Sequence, residues 1–175
     1  WVPFEQLPAS ARLWIFSSPV PLDTALLLPH LQEFIRSWTA HQQDLRASAS
    51  LSEGFFILLA VDEAQTSASG CSIDKATHFV LDLGQSLNLN FLEKRRYFYR
   101  NGDEPIHAVD HPTMQAAVQN GIVAENTLVA DTLLTQVGDL HRLWLPFGQS
   151  WHRRGRHPHS SWSRRCWRCS ERRGR

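Results

Sequence analysis

Seven consecutive apolar residues, Phe55-Phe56-Ile57-Leu58-Leu59-Ala60-Val61, constrain this chain more than any other stretch. The run is far short of the ~20 apolar residues that a membrane span needs. It also lacks the apolar–polar alternation of a strand with one face in water. It therefore reads as a buried strand, apolar on both faces. An acidic pair, Asp62-Glu63, and a loop of small residues from Ala64 to Ala68 follow it. Next comes Ser69-Gly70-Cys71-Ser72-Ile73-Asp74-Lys75, which opens a segment with apolar residues at Ile73, Ala76, Val80, Leu83 and Leu87. That spacing lies along one helical face and predicts a helix from about Cys71 to Leu87.

The chain before this unit repeats its logic. Leu13-Trp14-Ile15-Phe16 is apolar on both faces and stops at Ser17-Ser18-Pro19, as a central strand would. From Asp23, the residues Leu27, Leu31, Phe34, Ile35 and Trp38 recur at helical spacing. Pro29 lies well inside that helix and predicts a kink or a late start near Leu28. Leu45 to Leu51 alternates with period two, as an edge strand does, and Ser52-Glu53-Gly54 turns it into the Phe55 strand. Arg95 to Arg100 reads as a strand, and Asn101-Gly102 as a hairpin turn into Ile106 to Val109. A short helix over Thr113 to Gln119, a strand over Thr127 to Ala130 and a helical stretch over Thr135 to Leu143 complete the series. The first six elements run strand, helix, strand, strand, helix, strand. This order predicts an α+β fold, a ferredoxin-like βαββαβ sandwich with a C-terminal βαβ(α) extension. In that topology the first and third strands are central, which agrees with their wholly apolar character.

Charge divides the chain in two. Residues 1–151 hold nine Lys and Arg against sixteen Asp and Glu, whereas residues 152–175 hold nine Arg and a single Glu, so the formal net charge of +1 describes neither part. We expect a single α+β domain over 1–151. The last 24 residues have no aliphatic core former and read as a disordered Arg-rich tail. Their sudden turn to Arg, Trp, Cys, Gly, Ser and His is what GC-rich DNA read out of frame tends to give. A nucleic-acid arm stacking Trp162 and Trp167, or a metal knuckle of His157, His159, Cys166 and Cys169, are the alternatives. The chain opens on Trp1 without an export signal, and we expect residues to have preceded it. One body cysteine allows no disulfide framework, which points to a soluble protein of the cytoplasm.

The candidate site is Ser69 to Lys75. A cysteine in the first turn of a helix meets unpaired amides and the positive end of the helix dipole, which favour a thiolate or a bound anion. Ser69, Gly70, Ser72, Asp74 and Lys75 are the ligand-binding candidates. Cys71 is the nucleophile candidate, with His41 and Asp62, or His78 and Glu63, as possible base or orienting acid. Equally, Cys71 can be a small packed residue, and Ser72 and Asp74 simple helix caps. His107 and His111 flank Asp110 at poor metal spacing, so no metal and no cofactor are expected. Lys94-Arg95-Arg96 with Tyr97 and Tyr99 could touch phosphate and stack on bases, or be the solvated edge of a strand. Trp14, Trp38, Trp144 and Trp151 read as core or rim packing.

The opening Val-Pro-Phe-Glu-Gln-Leu-Pro, Ser37-Trp38-Thr39-Ala40-His41, Ala60-Val61-Asp62-Glu63, Ala68 to Lys75 and Ser150-Trp151 together resemble a family of small Bacteroidota proteins. The resemblance spans about residues 2 to 152. Its members often carry the label "ABC transporter ATPase". Such an ATPase uses GxxxxGK[ST], and the two lysines, Lys75 and Lys94, lie in no such loop. The family brings no established catalytic residues. The expected function is therefore a small binding or interaction protein that takes an anionic or small polar ligand, or a protein partner. A thiol-dependent enzyme using Cys71 is the alternative, and the ATPase of the label a further one. Neither nucleic acid nor membrane insertion is expected of the body.

Overall fold

A computed structural model describes residues 1–40, 43–64, 68–93 and 95–152. Of the expected tail, 152–175, His152 alone is described, and it packs against Ala130 and Tyr97 instead of being disordered; the rest lies outside the described residues, as do His41 and Lys94. The main elements are β1 (Arg12–Ser17), α1 (Thr24–Ser37), the short pair β2 (Thr39–Ala40) and β3 (Gln43–Asp44), β4 (Arg46–Ser52) and β5 (Phe56–Asp62). They continue with α2 (Gly70–Leu87), β6 (Arg96–Arg100), β7 (His107–Asp110), α3 (His111–Gln119), β8 (Leu128–Ala130) and β9 (Trp144–Pro146). The architecture is mixed helix and antiparallel sheet, an α+β fold.

β5 is buried along its whole length. It forms the middle of a three-stranded antiparallel sheet of order β1-β5-β4. Because side chains alternate along a strand, its two faces serve two different cores. Ile57, Leu59 and Val61 pack with Leu27, Leu31 and Ile35 of α1 and with Ala76, Val80 and Leu83 of α2. Phe56, Leu58 and Ala60 pack with Phe98 of β6, Ala130 of β8 and Leu143. These belong to the second sheet, of order β7-β6-β8-β9, and to the segment leading into it. The far face of that sheet carries Tyr99 and Val129 onto Met114 and Ala117 of α3. The domain is thus layered: two helices, a sheet, a second sheet, a helix.

Three of the strands expected for a ferredoxin-like sheet take the order first-third-second, but the fourth, β6, pairs elsewhere. Phe98 explains why: its ring meets Phe56 edge-on at 4.8 Å and Phe55 at 6.0 Å. With β6 there, the second apolar face of β5 is covered and kept from water. The outer edge of β1 is occupied instead by the segment 135–137, with Leu13 donating to the Thr135 carbonyl and Val137 to that of Ala11. Within the second sheet β7 and β8 both run antiparallel to the β6 between them, so β7-α3-β8 is itself a split βαβ unit.

Local chemistry sets the boundaries. Asp23 caps α1 by accepting from the Ala25 and Leu26 amides, so the helix starts at Thr24, not near Leu28. Pro29 is tolerated on the exposed face, where water can reach the carbonyl left without an amide partner. α3 begins two residues before the expected Thr113, because Asp110 caps it and Pro112 suits a first turn. The expected Thr135–Leu143 helix is a 3-10 helix, Val137–Arg142. In the β4–β5 turn both Glu53 and Gly54 have positive φ. A non-glycine residue there costs roughly 1–2 kcal/mol. Glu53 is held by its carboxylate, which accepts from Arg100 at 2.7 Å and from the Trp144 indole, while the Arg100 guanidinium lies 4.4 Å from the Trp144 ring. The turn of the first sheet is thereby latched to the second.

Phe98→Ala should lower the unfolding free energy by about 3–5 kcal/mol. In a guanidinium titration followed by tryptophan fluorescence it should do so in one transition, because both sheets lean on the same ring.

Candidate functional site

Ser69 to Lys75 forms the opening of α2, as the periodicity predicts. Ser69 is the N-cap and its Oγ accepts from the Ser72 amide at 3.2 Å. The buried Ser72 hydroxyl donates back to the Ser69 carbonyl at 2.8 Å. The Trp38 indole, fully buried, donates to the Ser72 carbonyl at 2.8 Å and pins the first turn to the end of α1. Cys71 is exposed and free, so its sulfur stands at the helix opening and in reach of solvent. Gly70, Asp74 and Lys75 are exposed as well. Lys75 Nζ donates to the Thr39 hydroxyl at 3.4 Å, and His78 turns its Nδ1 to the Asp74 carbonyl at 2.8 Å.

The acids proposed beside Cys71 have other partners. Asp62 is buried, pairs with Arg46 at 3.1 Å and accepts from the Ala64 amide at 3.1 Å. Glu63 accepts from the Ala68 amide at 3.0 Å and lies 3.5 Å from Arg12. Both carboxylates shape the exit from β5. The remaining base candidate, His41, lies outside the described residues.

A second place has the shape of a binding site. An open groove of about 1070 Å³ runs along the start of β6, the end of β7 and the first turn of α3, with Pro19 on its far wall. The register of the β6–β7 ladder builds it, setting Arg96 opposite Asp110 and Tyr97 opposite Val109. Arg96 donates to the Ser17 carbonyl at 3.0 Å and the Asn90 carbonyl at 3.1 Å. Burial lowers its pKa, and Glu93 opposes this. Asp110 accepts from the Thr113 amide at 2.9 Å, and hydrogen bonds from Thr113 hold its carboxyl below the usual range. Each of these two charges is therefore engaged with the backbone. Arg95 and His111 are exposed at the rim, and neither makes an ion pair among the described residues. Tyr97, half-buried in the wall, carries a phenol whose pKa burial raises and Arg95 opposes.

The Tyr97 ring lies 5.6 Å from that of His111 and 5.4 Å from that of His152. His107 instead stacks on Tyr99 at 4.8 Å. The two histidines flanking Asp110 therefore face different rings. Among the described residues no group of three or more His, Cys, Asp or Glu is placed to hold a metal ion. Arg95, Arg96, Tyr97, Asp110 and His111 stood out in the sequence only as a strand edge and a loose His pair. Their convergence depends on the β6–β7 hairpin register, for which Asn101-Gly102 was the sole local signal. No protein-family model, curated protein or solved structure matches this chain.

Trp38→Phe keeps an aromatic ring but removes the indole donor from the Ser72 carbonyl, which retains only its helical partner. It should cost about 1–3 kcal/mol in urea unfolding, with the slope of the transition unchanged.

Proposed function

We propose that this chain is a non-catalytic binding domain that takes a small anionic or polar molecule into the groove beside Tyr97. One observation carries the reading: in this groove Arg96 and the exposed Asp110 are engaged with backbone groups and Glu93 accepts from the Arg95 amide, while the Arg95 and His111 side chains at the rim are left for a ligand. A guanidinium beside an aromatic wall suits a molecule with an anionic group and a planar face.

A second reading keeps the opening of α2, Ser69 to Lys75, as the ligand site or as a thiol centre built on Cys71. The exposure of that cysteine favours it. The ATPase reading finds no phosphate loop to support it. We further infer a ferredoxin-like origin for the unit from β1 to α2, whose fourth strand has gone to a second sheet. We place the protein in the cytoplasm on its one unpaired body cysteine. Among the described residues no helix is long and apolar enough to cross a membrane.

NMR titration with phosphate, pyrophosphate and a nucleoside monophosphate tests the groove. The nucleotide should shift Tyr97 and His111 saturably, and Arg95→Ala should weaken it by about tenfold or more, the loss expected for one charged hydrogen bond. Shifts that ignore Arg95→Ala, or no shifts at millimolar ligand, would overturn the reading. Alkylation of Cys71 in the native protein should go to completion and leave that titration unchanged. Loss of nucleotide binding on alkylation would transfer the site to α2.

A further inference from the structure

The last described residues, Trp151 and His152, are fastened to the second sheet by hydrogen bonds and ring contacts. The Trp151 indole donates to Asp131 at 3.0 Å. His152 Nε2 lies 3.2 Å from the Ala130 carbonyl, to which it must be the donor. Its ring is held between the Trp151 ring, at 3.9 Å, and the Tyr97 ring, at 5.4 Å. The other nitrogen, Nδ1, is buried and has no hydrogen-bond partner among the described residues. With Nε2 protonated, Nδ1 of the neutral ring is a lone pair. Burying an unpartnered lone pair is tolerable, whereas burying an N–H of a cation with no acceptor is much less so.

We propose that Trp151-His152 is an acid-released clasp: protonation at His152 Nδ1 frees it from Ala130, Asp131 and Tyr97, and exposes the side of Tyr97 that it covers. The titratable groups around it are few. Asp131, at the end of β8, favours the cation and opposes release, while Tyr97 of β6 carries no charge near neutral pH. His111, at the start of α3, lies 5.6 Å from the Tyr97 ring, and the Arg95 cation acts on Tyr97 as well. Burial nevertheless wins and depresses the His152 pKa, with the Ala130 carbonyl and Asp131 opposing it. For a base with a depressed folded pKa, docking is fully favoured above the released value of ~6.5. It weakens by about tenfold per pH unit below that, down to the pKa of the docked ring.

Heteronuclear NMR of the full chain from pH 8 to pH 5 tests this. The Trp151 indole N–H should move toward its free position with the same midpoint as the His152 ring signals, and the Tyr97 ring signals should shift with them. His152→Phe keeps a flat ring without a titrating nitrogen, and His152→Gln keeps a neutral donor toward Ala130. Either variant should hold Trp151 docked at pH 5. A Trp151 indole that stays docked while His152 titrates, or variants that release it as the native chain does, would overturn the proposal.

Discussion

The fold depends on covering β5 twice. A strand that reads Phe-Ile-Leu-Leu-Ala-Val cannot leave either face in water, and each of its large side chains contributes roughly 1.5–3 kcal/mol when fully buried. The helices α1 and α2 cover one face through Ile57, Leu59 and Val61. The second sheet covers the other through Phe56, Leu58 and Ala60. Much else follows from this requirement. β6 leaves the edge of β1 to place Phe98 over Phe56, the β4–β5 turn is latched by Glu53 to Arg100 and Trp144, and β1 closes its edge with residues 135–137.

The groove is a by-product of the same packing. The two sheets meet over Phe56 and Phe98, and at the start of β6 the groove is lined by Pro19, which follows β1, together with Tyr97 and the opening of α3. Arg96, which also lines it, reaches the Ser17 and Asn90 carbonyls. Its charge is thereby removed from ligand binding and given to holding the layers in place. Asp110 does the equivalent for α3. What is left at the rim is a small set of side chains, of which Arg95, Tyr97 and His111 have the chemistry for recognition.

Most of the elements were legible in the sequence because their signals are local. Period-3.6 spacing placed α1 and α2, a continuous apolar run placed β5, and Asn101-Gly102 placed the β6–β7 turn. Ser72 and Asp74 read as helix caps, but the cap is Ser69, and Ser72 answers it with a hydroxyl bonded back to the Ser69 carbonyl. The partner of β6 was not legible. Strand pairing is a long-range choice between extending a sheet and covering its face, and nothing within Arg95 to Arg100 decides it. The clue lay elsewhere, in a β5 too apolar for a sheet with one open face. The groove was hidden for the same reason, since Arg95-Arg96-Tyr97 and Asp110-His111 meet only once the hairpin register is known. Pro29 misled in the other direction: Asp23 capping and the apolar stripe of Leu27, Leu31 and Ile35 outweigh one missing hydrogen bond.

Native-state amide hydrogen exchange measures this account most directly. If β5 is the shared centre of both cores, the Phe56 to Asp62 amides exchange only through global unfolding, and the Phe98 and Tyr99 amides of β6 exchange with the same free energy. Should β6 and β8 open with a much smaller free energy while β5 stays protected, the second sheet would be an appendage, and the double cover of β5 would not be what holds this protein together.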